Sequence, residues 1–208
     1  MNTNTETTTK LEIAKILHKA DALQFGLYKL TNGKLSPYYI DLRIIPSLPT
    51  AYKQICNYYT QAITQKIGLK NFDRIAGIPI AGIPFASQIA YNLQKPLIYT
   101  RKTTRLHGRQ RRIEGILVSG DKVLIIDDLV TTGLTIQKAA QAITAEGGIV
   151  TQAIALLDRE EGAKQKLAKH NIQLHTLLKI TDVAQALYEI GAIDTENLKT
   201  IKKQIKKT

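Results

Sequence analysis

A chain of 208 residues, 44% apolar and 22% charged, can bury one substantial core and is too apolar for an intrinsically disordered protein. One cysteine, Cys56, excludes an internal disulfide, no apolar window reaches bilayer length, and no His/Cys cluster has metal-ligand spacing, so a cytoplasmic, reducing compartment is expected. The net charge of +12 would admit a nucleic-acid partner, so the placement of the cations decides what it means.

In chain order, residues 1–9 are Thr/Asn-rich and read as a frayed tail, not a signal peptide. Leu11, Ala14, Leu17 and Leu23 give residues 10–23 a helical stripe. Residues 28–43 read as a hairpin around Asn32-Gly33, and the first forty residues or so are expected to form a small hood over the ligand end of a sheet. Pro49 opens a second helix over 50–67. From Arg74 onward strands (74–80, 97–100, 123–126, 150–157, 172–178) alternate with helices (83–93, 136–146, 163–169), which predicts an α/β fold with a central parallel sheet flanked by helices. No linker or repeat divides the chain, so one domain spans 1–208, the hood occupying about 1–45. Lys199, Lys202, Lys203, Lys206 and Lys207 lie opposite Leu198, Ile201 and Ile205, as the solvated side of a final helix.

The most informative stretch is Val123-Leu-Ile-Ile-Asp-Asp-Leu-Val-Thr-Thr-Gly-Leu-Thr135. An apolar run without alternation reads as a buried parallel strand, and it delivers Asp127 and Asp128 to the carboxyl edge where open α/β sheets bind ligands. Thr131, Thr132, Gly133 and Thr135 then open a helix, so hydroxyls and free backbone N–H groups form an anion cradle in which Gly133 permits close approach. A plain strand-turn-helix with Thr135 as N-cap is the alternative, and it leaves the acid pair without a purpose.

A second charged segment, 101–113, holds Arg101, Lys102, Arg105, His107, Arg109, Arg111 and Arg112 with little apolar content. Such a run repels itself unless an anion neutralises it, so beside a phosphate cradle it is expected to act as a mobile lid. A solvated surface loop is the plainer reading. Asp73-Arg-Ile-Ala-Gly-Ile-Pro-Ile-Ala-Gly-Ile-Pro84 joins strand to helix through Gly77, Pro79 and Gly82, a turn suited to presenting N–H groups to an anion. Arg159, in the charged turn Asp158-Arg-Glu-Glu-Gly162, could grip a carboxylate with two parallel hydrogen bonds.

These segments, in this order, resemble the type I phosphoribosyltransferases, and in particular the orotate phosphoribosyltransferases, over about residues 20–180. The Asp-Asp-x-x-Thr-Thr-Gly-x-Thr motif is similar to their ribose-phosphate loop; no Gly-Lys-Ser/Thr marks a P-loop. Arg101-Lys102-x-x-Arg105-Leu106-His107-Gly108 resembles their catalytic loop, with Arg105 and Leu106 where lysine and aspartate are common. Phe25 to Arg43 is similar to their N-terminal signature, although Thr31 stands where a lysine is usual and Ala81 where some members carry one. The resemblance implies transfer of a phosphoribosyl group from phosphoribosyl pyrophosphate (PRPP) to orotate. It assigns Lys102, Arg105, His107 and Asp128 to catalysis. It assigns Arg101, Lys102, Arg105, His107, Asp127, Asp128, Thr131, Thr132, Gly133 and Thr135 to PRPP, and Tyr38, Tyr39, Thr131 and Arg159 to orotate. It also implies Mg²⁺ held mainly through PRPP, with Asp127 through water, and a homodimer whose loop crosses to the partner subunit; neither nucleic acid nor membrane is an expected partner. A transferase for another base, or a PRPP-binding regulator of the same fold, remain the alternatives.

Overall fold

The computed structural model describes residues 3–29, 33, 35–101 and 112–205. Helix α1 (Thr3–Lys19) starts within the expected frayed tail and stops before residue 23. The helix is anchored by Ile13, Ala14 and Leu17 in the core, Glu6 pairs with Lys66 at 3.0 Å and Lys10 with Asp182 at 3.3 Å along it, and Asp21 at φ 52° turns the chain out of the helix. Leu23 therefore begins a strand, β1 (Leu23–Lys29), paired antiparallel with β2 (Leu35–Ile40) from Leu23 opposite Ile40 to Lys29 opposite Leu35. The hairpin is longer at its start than its sequence suggested. A short 3₁₀ turn (Leu42–Ser47) leads to α2 (Pro49–Ala62), whose last turn widens into a π turn over Ile63–Ile67.

The remaining elements are β3 (Arg74–Gly77), α3 (Gly82–Leu93), β4 (Leu97–Thr100), β5 (Ile113–Glu114), β6 (Lys122–Val130), α4 (Leu134–Ala145), β7 (Ile149–Asp158), α5 (Ala163–Ala168), β8 (Gln173–Lys179), α6 (Ile180–Glu189) and α7 (Thr195–Ile205). Six strands form one sheet in the order β5-β4-β3-β6-β7-β8, parallel except for β5. The parallel strands are apolar nearly throughout because helices cover both faces. One buried cluster joins α1, α2, α3, α6, α7 and the hairpin to one face of the sheet, and a second packs α4 and α5 on the other. Leu198 and Ile201 are buried on α7, as its lysine pattern implied, whereas β5 and α6 have no counterpart among the sequence expectations.

Strand β6 departs from its expected end at Ile126 by continuing to Val130. Asp127 and Asp128 consequently lie within a hydrogen-bonded strand, with Asp127 opposite Ala155 and Val130 opposite Asp158 of β7. The acid pair inherits the rigidity of the sheet.

Candidate active site

At the carboxyl edge of β6, Asp127 is only 7% exposed and Asp128 is half-buried. Burial raises both carboxyl groups above their usual range; for Asp127 the adjacent Asp128 charge adds to the effect, so Asp127 is raised further. Asp127 Oδ1 accepts the Asp128 N–H at 3.1 Å, and the Arg43 guanidinium favours the ionised form of Asp128. A pair of this kind seeks hydroxyl donors or a cation.

Beyond it, Gly133 takes φ 76° and is the N-cap of α4, with no side chain capping the helix. The N-cap is thus not Thr135, and the first-turn N–H groups are open to an anion. A Cβ on Gly133 would meet Leu167 Cγ at 3.0 Å, so glycine is required by its backbone conformation and by the approach of α5. Thr131 is half-buried, while Thr132 and Thr135 are exposed.

The turn between β3 and α3 lies beside these residues. Its Pro79–Ile80 peptide is cis, Ala81 is the N-cap, and again no side chain caps the helix. A Cβ on Gly82 would stand 2.9 Å from both Asp127 Oδ1 and Ile126 O, so the start of α3 rests directly on the acid strand. Glycine is what allows that approach.

Two tyrosines without any local sequence signal hold this geometry from α2. The fully buried Tyr59 hydroxyl donates to Asp127 O at 2.6 Å, and the Tyr52 hydroxyl donates to Pro84 O at 2.6 Å. Their rings flank Phe85, at 6.0 and 5.6 Å between centroids. One helix therefore tethers both the acid strand and the first turn of α3. Burial raises both phenols, Tyr59 most strongly, so both hydroxyls stay protonated as donors.

The charged turn after β7 supplies the other end of the site. The Arg159 N–H donates to Val130 O at 2.9 Å, which fixes the residue beside the end of β6. Its guanidinium is buried and lies 5.1 Å from the ring centroid of Tyr38, which is itself 1% exposed. This contact brings the hairpin over the carboxyl ends of the strands. Tyr39 points the other way, as neighbouring strand residues do: its hydroxyl accepts from Arg43 Nη2 at 2.9 Å, and Arg43 Nε pairs with Asp41 at 2.7 Å. Only Tyr38 of the two aromatic candidates thus touches Arg159.

Arg101 pairs with Glu114 at 2.8 Å and lines a cavity of about 290 Å³ together with Pro79, Arg112, Thr135 and Lys138. That cavity borders both anion turns but not the acid pair. Lys102, Arg105, Leu106 and His107, like Thr31, lie outside the described residues. Among the described residues no three His, Cys, Asp or Glu side chains converge to hold a metal. The donor set fits a hard cation such as Mg²⁺, which takes one or two carboxylates and completes its shell with water and phosphate oxygens. No helix among the described residues is long and apolar enough to cross a membrane.

Comparison with known proteins agrees with this geometry. The phosphoribosyl transferase domain family matches residues 49–181. An orotate phosphoribosyltransferase of Staphylothermus marinus is 40% identical, over 92% of this chain and 92% of its own. The orotate phosphoribosyltransferase of Aeropyrum pernix superposes with a TM-score of 0.72 at 29% identity, covering 86% of this chain and 99% of that one. The UMP synthase of Leishmania donovani superposes at 0.85 with 32% identity, over 95% of this chain but only 42% of that longer chain. The fold, the two uncapped helix starts beside the acid strand and the matched family thus define a phosphoribosyltransferase. Within that class, the chain belongs to the orotate phosphoribosyltransferase family.

Proposed function

We propose that this protein transfers the 5-phosphoribosyl group from PRPP to orotate, giving orotidine 5′-monophosphate and pyrophosphate, the ribosylation step of pyrimidine nucleotide synthesis. The observation that carries the choice of base is Arg159: a guanidinium that is buried, set 5.1 Å from the Tyr38 ring centroid and left with Nε and Nη2 lacking hydrogen-bond partners suits a planar ring bearing a carboxylate. A base without a carboxylate leaves those donors unsatisfied.

Displacement at the anomeric carbon passes through a cation-like state, so the protein's work is to position the reactants and stabilise the departing charge. Asp127 and Asp128 hold the ribose hydroxyls. The turn of Thr131, Thr132, Gly133 and Thr135 takes the 5-phosphate on the open N–H groups of α4, with Thr131 also reaching toward the base. The Pro79–Gly82 turn and Arg101 take the pyrophosphate. Lys102, Arg105 and His107, assigned by sequence, supply further cations to the leaving group. Asp127, acting through water, would help hold an Mg²⁺ carried in with PRPP, and such an ion would supply charge neutralisation at the pyrophosphate. The active form is a cytoplasmic homodimer whose loop completes the partner's site; exposed Ile80, Tyr91 and Ile116 offer apolar surface for such an interface.

The test mixes the purified chain with Mg²⁺, PRPP and orotate and follows the loss of orotate absorbance, with Lys102→Ala in parallel. Turnover by the wild type that collapses in the variant is expected. Pyrophosphate release with another base but not with orotate would move the function to a sister transferase.

A further inference from the structure

Arg159 is held in an unfinished state. Glu161 Oε1 lies 3.1 Å from its Nε, close enough to pair charges, yet Nε and Nη2 are both buried without a hydrogen-bond partner, so the contact lies off the N–H direction. These two nitrogens are neighbouring donors of the guanidinium fork, the edge that a carboxylate grips with both oxygens.

The neighbouring glutamate is committed elsewhere. Glu160, at φ 60°, accepts the Thr181 N–H at 3.1 Å and pairs with Lys179 at 3.6 Å, while its own N–H donates to buried Asp158 at 2.7 Å. These bonds anchor the turn to α6. Glu161 is held by less: among the described residues its carboxylate makes only the contact with Arg159, and Gly162 follows at φ 88° with open space where a side chain would stand.

We infer that Glu161 is an internal stand-in for the substrate carboxylate: it stands at the recognition edge of Arg159 and must leave it when the base binds. The inference rests on orotate being the base. Glu161 neutralises a buried cation that would otherwise be costly, but its poor alignment keeps it displaceable by a ligand that makes both hydrogen bonds. Because the two carboxylates compete for one edge, Glu161 weakens the binding of carboxylate-bearing ligands. A base lacking a carboxylate gives nothing in return for displacing it, so Glu161 also closes the seat to neutral pyrimidines.

Calorimetric titration of the full chain with orotidine 5′-monophosphate and with uridine 5′-monophosphate tests this, since the two differ only in the carboxylate. Glu161→Gln should tighten orotidine 5′-monophosphate roughly fivefold or more and leave uridine 5′-monophosphate within about twofold. Glu161→Asp, which keeps the charge but withdraws it by one methylene, should shift in the same direction. Weaker binding of orotidine 5′-monophosphate in both variants, or equal shifts for both nucleotides, would overturn the competitor role alone. Failure of the wild type to prefer the carboxylate-bearing nucleotide would overturn the orotate reading and this inference together.

Discussion

Strands β6 and β7 are neighbours in the sheet, and each ends in a buried charge, but the two ends are built in opposite ways. At the end of β6 two carboxylates stand side by side with no cation in direct contact among the described residues, fixed through backbone: Tyr59 on the Asp127 carbonyl, and the start of α3 at Gly82. At the end of β7 a guanidinium has an aromatic face and a carboxylate already beside it. The negative pole is over-charged and rigid, while the positive pole is compensated and adjustable. A sugar common to every substrate of the class needs only a fixed frame, whereas choosing among bases needs a contact that can be exchanged.

Removing the guanidinium should have the largest effect. Arg159→Ala is expected to lower kcat/KM for orotate about a thousandfold, as a lost polar recognition group does, and to reduce stability by about 2 kcal/mol because Glu161 and Tyr38 lose their partner. Initial rates and a thermal melt check both halves; a melt unchanged in the variant would mean that the positive pole is not compensated.

Gly82→Ala is next. Its methyl would meet Asp127 Oδ1 and Ile126 O at 2.9 Å, so α3 or the acid strand must shift, and a displacement on the order of 1 Å costs about a hundredfold in kcat. Asp127→Asn should break the comparison in an informative direction, with activity roughly tenfold or more below wild type but higher stability. The sign follows from the raised pKa: ionisation is disfavoured in the fold, so stability is greatest when the pair is protonated and falls as pH rises through its folded pKa. The neutral amide removes that loss, and a melting temperature about 3 °C above wild type at pH 8, with little difference at pH 4, is the expected result. Tyr59→Phe should be the mildest, removing one buried hydrogen bond worth about 1 kcal/mol and raising KM for PRPP severalfold with orotate KM unchanged.

Much of this was legible in the sequence because it lies in short segments. The apolar run before Asp127 marked a buried strand, and the Thr/Gly turn marked the start of the next helix. Arg159 stood out as a cation at the end of another apolar run. What was hidden depends on distance along the chain: Tyr59 meets Asp127 across 68 residues, and Gly82 looked like a turn glycine until its neighbour was seen to be the acid itself. Local pattern also misplaced the start of α1, where a Thr-rich stretch of weak propensity continues a helix whose Ile13, Ala14 and Leu17 are anchored in the core. The strand end at Ile126 was misread for a related reason, since two acids resemble a loop unless the pairing with β7 is known.

Helix α2 makes the site sensitive to its own phase. Tyr52 and Tyr59 are separated by two helical turns, about 10 Å of rise, so both hydroxyls leave one side of the helix and each reaches its own carbonyl. The helix is a ruler whose marks are hydroxyl groups. Inserting one residue between them would swing the marks apart by about 100° around the axis, so only one turn of the site could stay attached. The interval between these two tyrosines is therefore a part of the scaffold poorly able to gain or lose a residue, although both hydroxyls are spent on backbone carbonyls.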